Sequence, residues 1–241
     1  MGRAVALLRA VNVGGRTASK AQLTAALEGA GLTGVSTFLA SGNVLFDLPP
    51  APPGGLPGLA TPLRGGLAPG GGLPGGAPAP VTPLSGGSAP ASSAASGSDP
   101  TGQPADDRSD AWCADERAAL ELRIEASLQT VFGFPVEVFV RTAAELAALA
   151  AYDAFPGVDA AVGRQVVFLK ATPSEPAHAA LTALSTDRDT LLVTDLEVWW
   201  LTRDGVGRSA LRPGALDRAA GQPVTARSRT TVTRLAALLE P

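Results

Sequence analysis

The chain has 241 residues, 45% of them hydrophobic and 17% charged, with one cysteine, one histidine and a formal net charge of −3. That length allows one or two domains with a sizeable buried core, and a single cysteine excludes an internal disulfide. No apolar run approaches the roughly 20 residues a spanning helix needs. The apolar stretch between Arg3 and Arg9 is too short for a signal-peptide core, so a cytoplasmic protein without a membrane segment is expected.

In chain order, a strand is predicted over residues 5–11, followed by a turn at Asn12-Val13-Gly14-Gly15. Ser19 and Gln22 have capping-box spacing, in which the hydroxyl takes one orphan N–H and the amide reaches back to another. They open a helix with Leu23, Leu27 and Ala30 on one face, which Gly31 ends. Short strands follow over residues 35–40 and 43–47, joined tightly at Ser41-Gly42.

Residues 49–110 then change character. They hold 14 of the 21 prolines and 14 of the 28 glycines, and Arg64 is the only charge from Pro49 to Ser98. With no aromatic residue either, the stretch cannot bury enough apolar surface to offset its ordering entropy, so a disordered Pro/Gly-rich insertion is expected. Of the chain's 19 basic and 22 acidic residues, 17 and 18 lie outside it. The folded part is thus nearly neutral, which makes nucleic-acid binding a poor reading, because that needs a basic footprint.

Beyond the insertion, Leu120, Ile124, Leu128 and Val131 recur at helical spacing up to Gly133. Val136, Val138 and Val140 then alternate with Glu137, Phe139 and Arg141, a strand signature. The order so far is βαββαβ, that of a ferredoxin-like unit. Thr142 and Glu145 cap a connecting helix ending near Ala151. A second pass repeats the order: a strand at 165–170, a helix capped by Thr172-Pro173-Ser174-Glu175, and a hairpin of strands 190–194 and 197–201 turning near Asp195. It continues with a helix around 209–220, a strand at 224–227 and a last helix with Val232, Leu235 and Leu239 inward. The predicted fold is α+β, two ferredoxin-like units in tandem: residues 1–141 including the 49–110 insertion, and residues 142–241 with the C-terminal helix. An internal duplication is implied by element order, not by residue identity.

Five segments carry a family resemblance: 7–15 (Leu-Leu-Arg-Ala-Val-Asn-Val-Gly-Gly), 41–46 (Ser-Gly-Asn-Val-Leu-Phe), Phe155-Pro156-Gly157, 204–209 (Asp-Gly-Val-Gly-Arg-Ser) and 230–235 (Thr-Thr-Val-Thr-Arg-Leu). In this order they resemble the bacterial family known as domain of unknown function 1697, over nearly the whole chain outside the insertion. The family usually has Gly-Ile where Ala10-Val11 stand, Lys where Ala210 stands, and Asn-Trp where Ser228-Arg229 stand. The resemblance implies paired ferredoxin-like halves and no established activity.

Three loops have the chemistry of an anion site, in which exposed backbone N–H groups at a turn or helix start favour negative charge. The first is Asn12-Val13-Gly14-Gly15, beside Arg9; it lacks the spacing of any nucleotide-binding motif. In the second, Gly205 and Gly207 precede Arg208 and Ser209, where an arginine can grip a carboxylate or phosphate through two parallel hydrogen bonds. The third spans residues 225–231, with Arg227, Thr230 and Thr231 just before the last helix. Each has an ordinary alternative as a glycine turn or a helix cap. His178, with no second His or Cys to join it, reads as a surface histidine, Asp187, Asp189 and Asp195 as turn formers, and one of Trp199 and Trp200 as an exposed ring. No metal site, cofactor motif or catalytic constellation can be named, which leaves open whether the chain is an enzyme. A small anionic ligand, a phosphate-bearing one among them, is the partner expected; a protein–protein interaction module is the alternative, and RNA binding a third reading.

Overall fold

A computed structural model of the chain describes residues 2–9, 11, 17–39, 42–49, 114–159, 161–212 and 214–240. The expected insertion apart from Pro49, and Asn12, Gly14 and Gly15 of the first loop, lie outside the described residues.

The first half consists of β1 (Arg3–Leu8), α1 (Lys20–Gly29), β2 (Thr33–Phe38), β3 (Asn43–Asp47), α2 (Ala114–Phe132) and β4 (Val138–Thr142), with α3 (Ala143–Ala151) after it. The second repeats the order as β5 (Gly163–Leu169), α4 (Glu175–Thr182), β6 (Asp189–Val193), β7 (Glu197–Thr202), α5 (Ala215–Ala220) and β8 (Val224–Ser228), followed by α6 (Arg229–Leu239). The sheets run β2-β3-β1-β4 and β6-β7-β5-β8, every neighbouring pair antiparallel. Both are the ferredoxin-like arrangement, and the fold is α+β with two such units.

Strand alternation builds three apolar layers. From β1, Ala4, Ala6 and Leu8 face α1 and α2, meeting Leu27, Ile124 and Leu128. Val5 and Leu7, pointing the other way, join Phe139, Val166, Phe168 and Trp199 in a central layer shared by both sheets. Leu146 of α3 and Val232, Leu235 and Leu239 of α6 complete that layer. The remaining face of the second sheet, Val167, Leu169, Val198 and Trp200, packs on Leu181 and Ala220. Burial on both faces is why residues 4–8 of β1 and 166–169 of β5 read as continuous apolar runs.

Two of the three predicted helix caps form; at α4 Ser174 takes the N-cap position but makes no side-chain cap hydrogen bond, so the cap expected from Thr172-Pro173-Ser174-Glu175 is absent. Ser19 with Gln22, and Thr142 with Glu145, form complete capping boxes. Thr142 is at once the last residue of β4 and the cap of α3, and Ser228 repeats this between β8 and α6, its hydroxyl accepting from the Thr231 N–H.

Some expectations are corrected. The helix placed at 209–220 is a 3-10 turn at Val206–Arg208 and, separately, α5, which starts only after Gly214 takes up a left-handed conformation at φ 71°. Asp189 does not form a turn: it is fully buried, accepting the Trp200 indole N–H at 2.9 Å and the Ala210 N–H at 2.9 Å. Trp199 and Trp200 do point to opposite faces, yet both are buried, because helices cover each side of the second sheet. Among the described residues no helix is long and apolar enough to cross a membrane.

Candidate functional site

The halves are joined by reciprocal polar contacts. Arg141, next to last in β4, is fully buried; its Nε donates to Glu197 Oε1 at 2.7 Å, and its Nη2 donates to the carbonyls of Leu169 at 2.8 Å and Leu196 at 3.0 Å. Arg227, next to last in β8, sends Nε to Asn43 Oδ1 at 2.7 Å and Nη2 to the carbonyls of Leu8 at 2.8 Å and Gly42 at 3.2 Å. The acceptors correspond one for one: the first residue of the hairpin's second strand, the residue before it, and the last residue of the half's first strand. Each Nη1 also donates to the carbonyl of the preceding residue, Val140 or Ala226.

A second reciprocal pair reinforces the first. Arg9, past the end of β1, binds Asp217 of α5, whose Oδ1 also accepts the Val224 N–H at 3.2 Å. Lys170, past the end of β5, binds Glu125 of α2, whose Oε1 accepts the Val138 N–H at 2.9 Å. A cation from each half thus reaches the helix carboxylate that caps the start of the other half's last strand. The duplication expected from element order is therefore present in the polar contacts as well.

Charge at this seam is tuned by burial. Arg227 has only neutral acceptors, and burial pulls its guanidinium down to about 10, still charged at neutral pH. Burial pushes Glu121 of α2 up to about 7, against the Val140 N–H it accepts at 2.8 Å and the nearby charge of Lys170. For Lys170 burial acts downward, but the hydrogen bond and charge of Glu125, with Glu121 and Glu137, outweigh it and raise the ammonium.

Arg9 and Arg227 of the sequence-derived set thus meet at the seam with their guanidinium groups engaged by protein. Gly205, Gly207, Arg208 and Ser209 sit on and beside the 3-10 turn; Arg208 is exposed, and Ser209 Oγ accepts the Leu211 N–H at 3.0 Å. They do not open a helix, because α5 begins later. Thr231 is occupied with the Ser228 cap. Thr230 is exposed at the start of α6 and lines a hollow of about 570 Å³ between that helix start, the first residues of β5 and α3.

Three arginines line that hollow, Arg164, Arg229 and Arg234, with no carboxylate in its wall and no ion-pair partner for any of them among the described residues. Arg164 holds the loop before β5 by donating to the carbonyls of Val158, Asp159 and Val162. Arg229 makes only long hydrogen bonds, to the carbonyls of Ala150 at 3.4 Å and Tyr152 at 3.3 Å. The guanidinium of Arg234 lies over the Phe38 ring, 4.9 Å from its centroid. Thr230, Thr233 and Ser228 add hydroxyls, and the first-turn N–H groups of α6 have no intrahelical acceptor. Such a wall has the donor chemistry of an anion site. Sequence reasoning reached Thr230 and the loop holding Arg229 but not Arg164, which arrives only through β5–β8 pairing. Arg234 was findable, four residues past Thr230 and so on the same helix face.

Taken together, two antiparallel sheets of the same order, a capped helix after each, and arginines exchanged across the seam define a duplicated ferredoxin-like α+β protein. The chain belongs to the family described as protein of unknown function (DUF1697), whose model matches residues 1–58 and 112–199. The segments at 204–209 and 230–235 lie beyond that match. No curated protein matches the sequence. Among solved structures, the conserved bacterial protein SP0830 from Streptococcus pneumoniae is similar over 99% of each chain, with a TM-score of 0.57 at 15% identity. That likeness shows the fold alone; the family carries no assigned activity.

Proposed function

We propose that this protein binds a small anionic ligand, carboxylate- or phosphate-bearing, in the hollow at the start of α6. The observation that carries this reading is the convergence of Arg164, Arg229 and Arg234 on one concave surface with no carboxylate among its lining residues. Guanidinium groups suit the task because their planar donors match both carboxylate and phosphate oxygens. The volume, about 570 Å³, is in the range of metabolite sites. Of the residues the sequence pointed to, Thr230 contributes directly, while Arg227 supports the strand from which α6 starts. A cytoplasmic setting suits this reading, since the chain has a single cysteine and such metabolites abound there.

Thermal-shift and calorimetric titrations with inorganic phosphate, nucleoside monophosphates and dicarboxylates test the reading. At least one anion is expected to bind saturably and raise the melting temperature. Arg229→Ala and Arg234→Ala, both near the surface, are expected to weaken that binding at least fivefold while remaining folded. If no anion in the panel stabilises the intact protein, or if both variants bind as well as the parent, the proposal fails.

A further inference from the structure

The exchange of equivalent residues across the seam allows each hollow to be compared with its counterpart in the other half. Between α3 and the β6–β7 turn lies a second hollow, of about 370 Å³. Its wall includes Tyr152 and Trp199, with ring centroids 5.3 Å apart and tilted, and the apolar side chain of Leu149. Glu145, Asp195 and Glu197 supply carboxylates, and no cation lines it. Glu145 and Glu197 are held from behind by Arg117 and Arg141, whereas Asp195 has no hydrogen-bond or ion-pair partner among the described residues.

The counterpart in the first half is where α6 passes the β2–β3 hairpin. There the chain supplies its own cation, the Arg234 guanidinium over the Phe38 ring. Arg234 stands six residues past the Ser228 cap; the residue six past the Thr142 cap is Ala148, and it lines the second hollow. The acidic positions are neutral there, since Glu197 corresponds to Asn43 and Glu145 to Thr231. At one pseudo-equivalent place a guanidinium is built in; at the other alanine leaves space, and the surrounding groups are aromatic and acidic.

We propose that the hollow beside Ala148 binds a small organic cation from solution, a guanidinium or ammonium group on an apolar stem. The stem would lie against Leu149, Tyr152 and Trp199, the charge toward Asp195 and the outer oxygen of Glu197. Attraction of a cation to an aromatic face and to carboxylates over an apolar floor is the chemistry by which such groups are recognised. This site is independent of the anion hollow and stands or falls separately.

The test is calorimetry and intrinsic fluorescence on the full chain, with butylguanidinium and benzylammonium as probes and benzyl alcohol as the neutral control. Saturable binding of either cation is expected, at least fivefold tighter than the alcohol and at least threefold weaker in Asp195→Asn. Ala148→Arg, which gives the site the internal cation of its counterpart on an exposed helix position, is expected to abolish probe binding without lowering the melting temperature. Three results would overturn the proposal: no saturable binding of either cation, equal binding of the alcohol, or undiminished binding to a folded Ala148→Arg protein. Binding of a blocked arginine-containing peptide but of neither free cation would overturn the assignment to a small ligand.

Discussion

Replacing each seam arginine by methionine separates two kinds of buried guanidinium in one molecule. In Arg141→Met the change strands the Glu197 carboxylate, whose side chain is 12% exposed, beside an apolar group, and removes the donor to the Leu169 carbonyl. Removing one partner of a buried ion pair costs about 3–5 kcal/mol. Arg227→Met strands only neutral acceptors, chiefly Asn43 Oδ1 and the Leu8 carbonyl, at about 1–3 kcal/mol each. Against this stands relief from burying an uncompensated charge, about 3 kcal/mol for a guanidinium that burial pulls from its ordinary value down to about 10. With two acceptors stranded, the net effect of Arg227→Met therefore lies between a gain of about 1 and a loss of about 3 kcal/mol, a smaller loss than for Arg141→Met. Urea unfolding followed by far-ultraviolet circular dichroism measures both. Adding Glu197→Gln to Arg141→Met is expected to restore about 1–3 kcal/mol by removing the stranded charge. If Arg227→Met proves as costly as Arg141→Met, or if the second change restores nothing, the account of charge at the seam is wrong.

Two further outcomes follow from the same region. Glu121 ionises near 4.5 when unfolded and about 7 when folded, so between those values the unfolded chain has released a proton the native state still holds. Stability should fall as pH rises through that window, and Glu121→Gln should be the more stable form at pH 8 by up to about 3 kcal/mol, the difference vanishing near pH 4; parallel stability–pH curves would contradict this. Gly42 has φ +77°, and a Cβ there would lie 2.5 Å from Val11 Cγ2 and 3.0 Å from Leu8 Cβ, whereas at Gly31, φ +79°, it would meet nothing within 4 Å. Gly31→Ala should thus cost about 1–2 kcal/mol and Gly42→Ala clearly more; equal costs in urea unfolding would mean that the strand end at Leu8 is loosely packed.

Local chemistry was readable in the sequence wherever the controlling partner is near in the chain. Ser19 with Gln22 and Thr142 with Glu145 announced their helices because each capping box closes within three residues. The βαββαβ order was readable from period and turns. The fate of Arg227 was not, because its acceptors Leu8, Gly42 and Asn43 lie more than 180 residues away and form a binding edge only once the first sheet exists. Asp189 looked like a turn former for the same reason: its partner Trp200 faces it only across the β6–β7 pairing. The two hollows are likewise products of tertiary pairing: of the anion hollow's wall only the residues at the start of α6, Arg229, Thr230 and Arg234, lay within reach of a linear argument, and Arg164 did not.

The crossed arginines also bear on synthesis. A ribosome releases the segments of the first sheet, with Arg141 and the Glu121 and Glu125 carboxylates of α2, well before Leu169, Lys170 and Glu197 are synthesised. At about 5–20 residues per second, the growing chain spends several seconds with those charges lacking their counterparts. Neither ferredoxin-like unit can reach its final polar state by itself, since Arg141 and Lys170 find their partners in the opposite half, and so do Arg9 and Arg227.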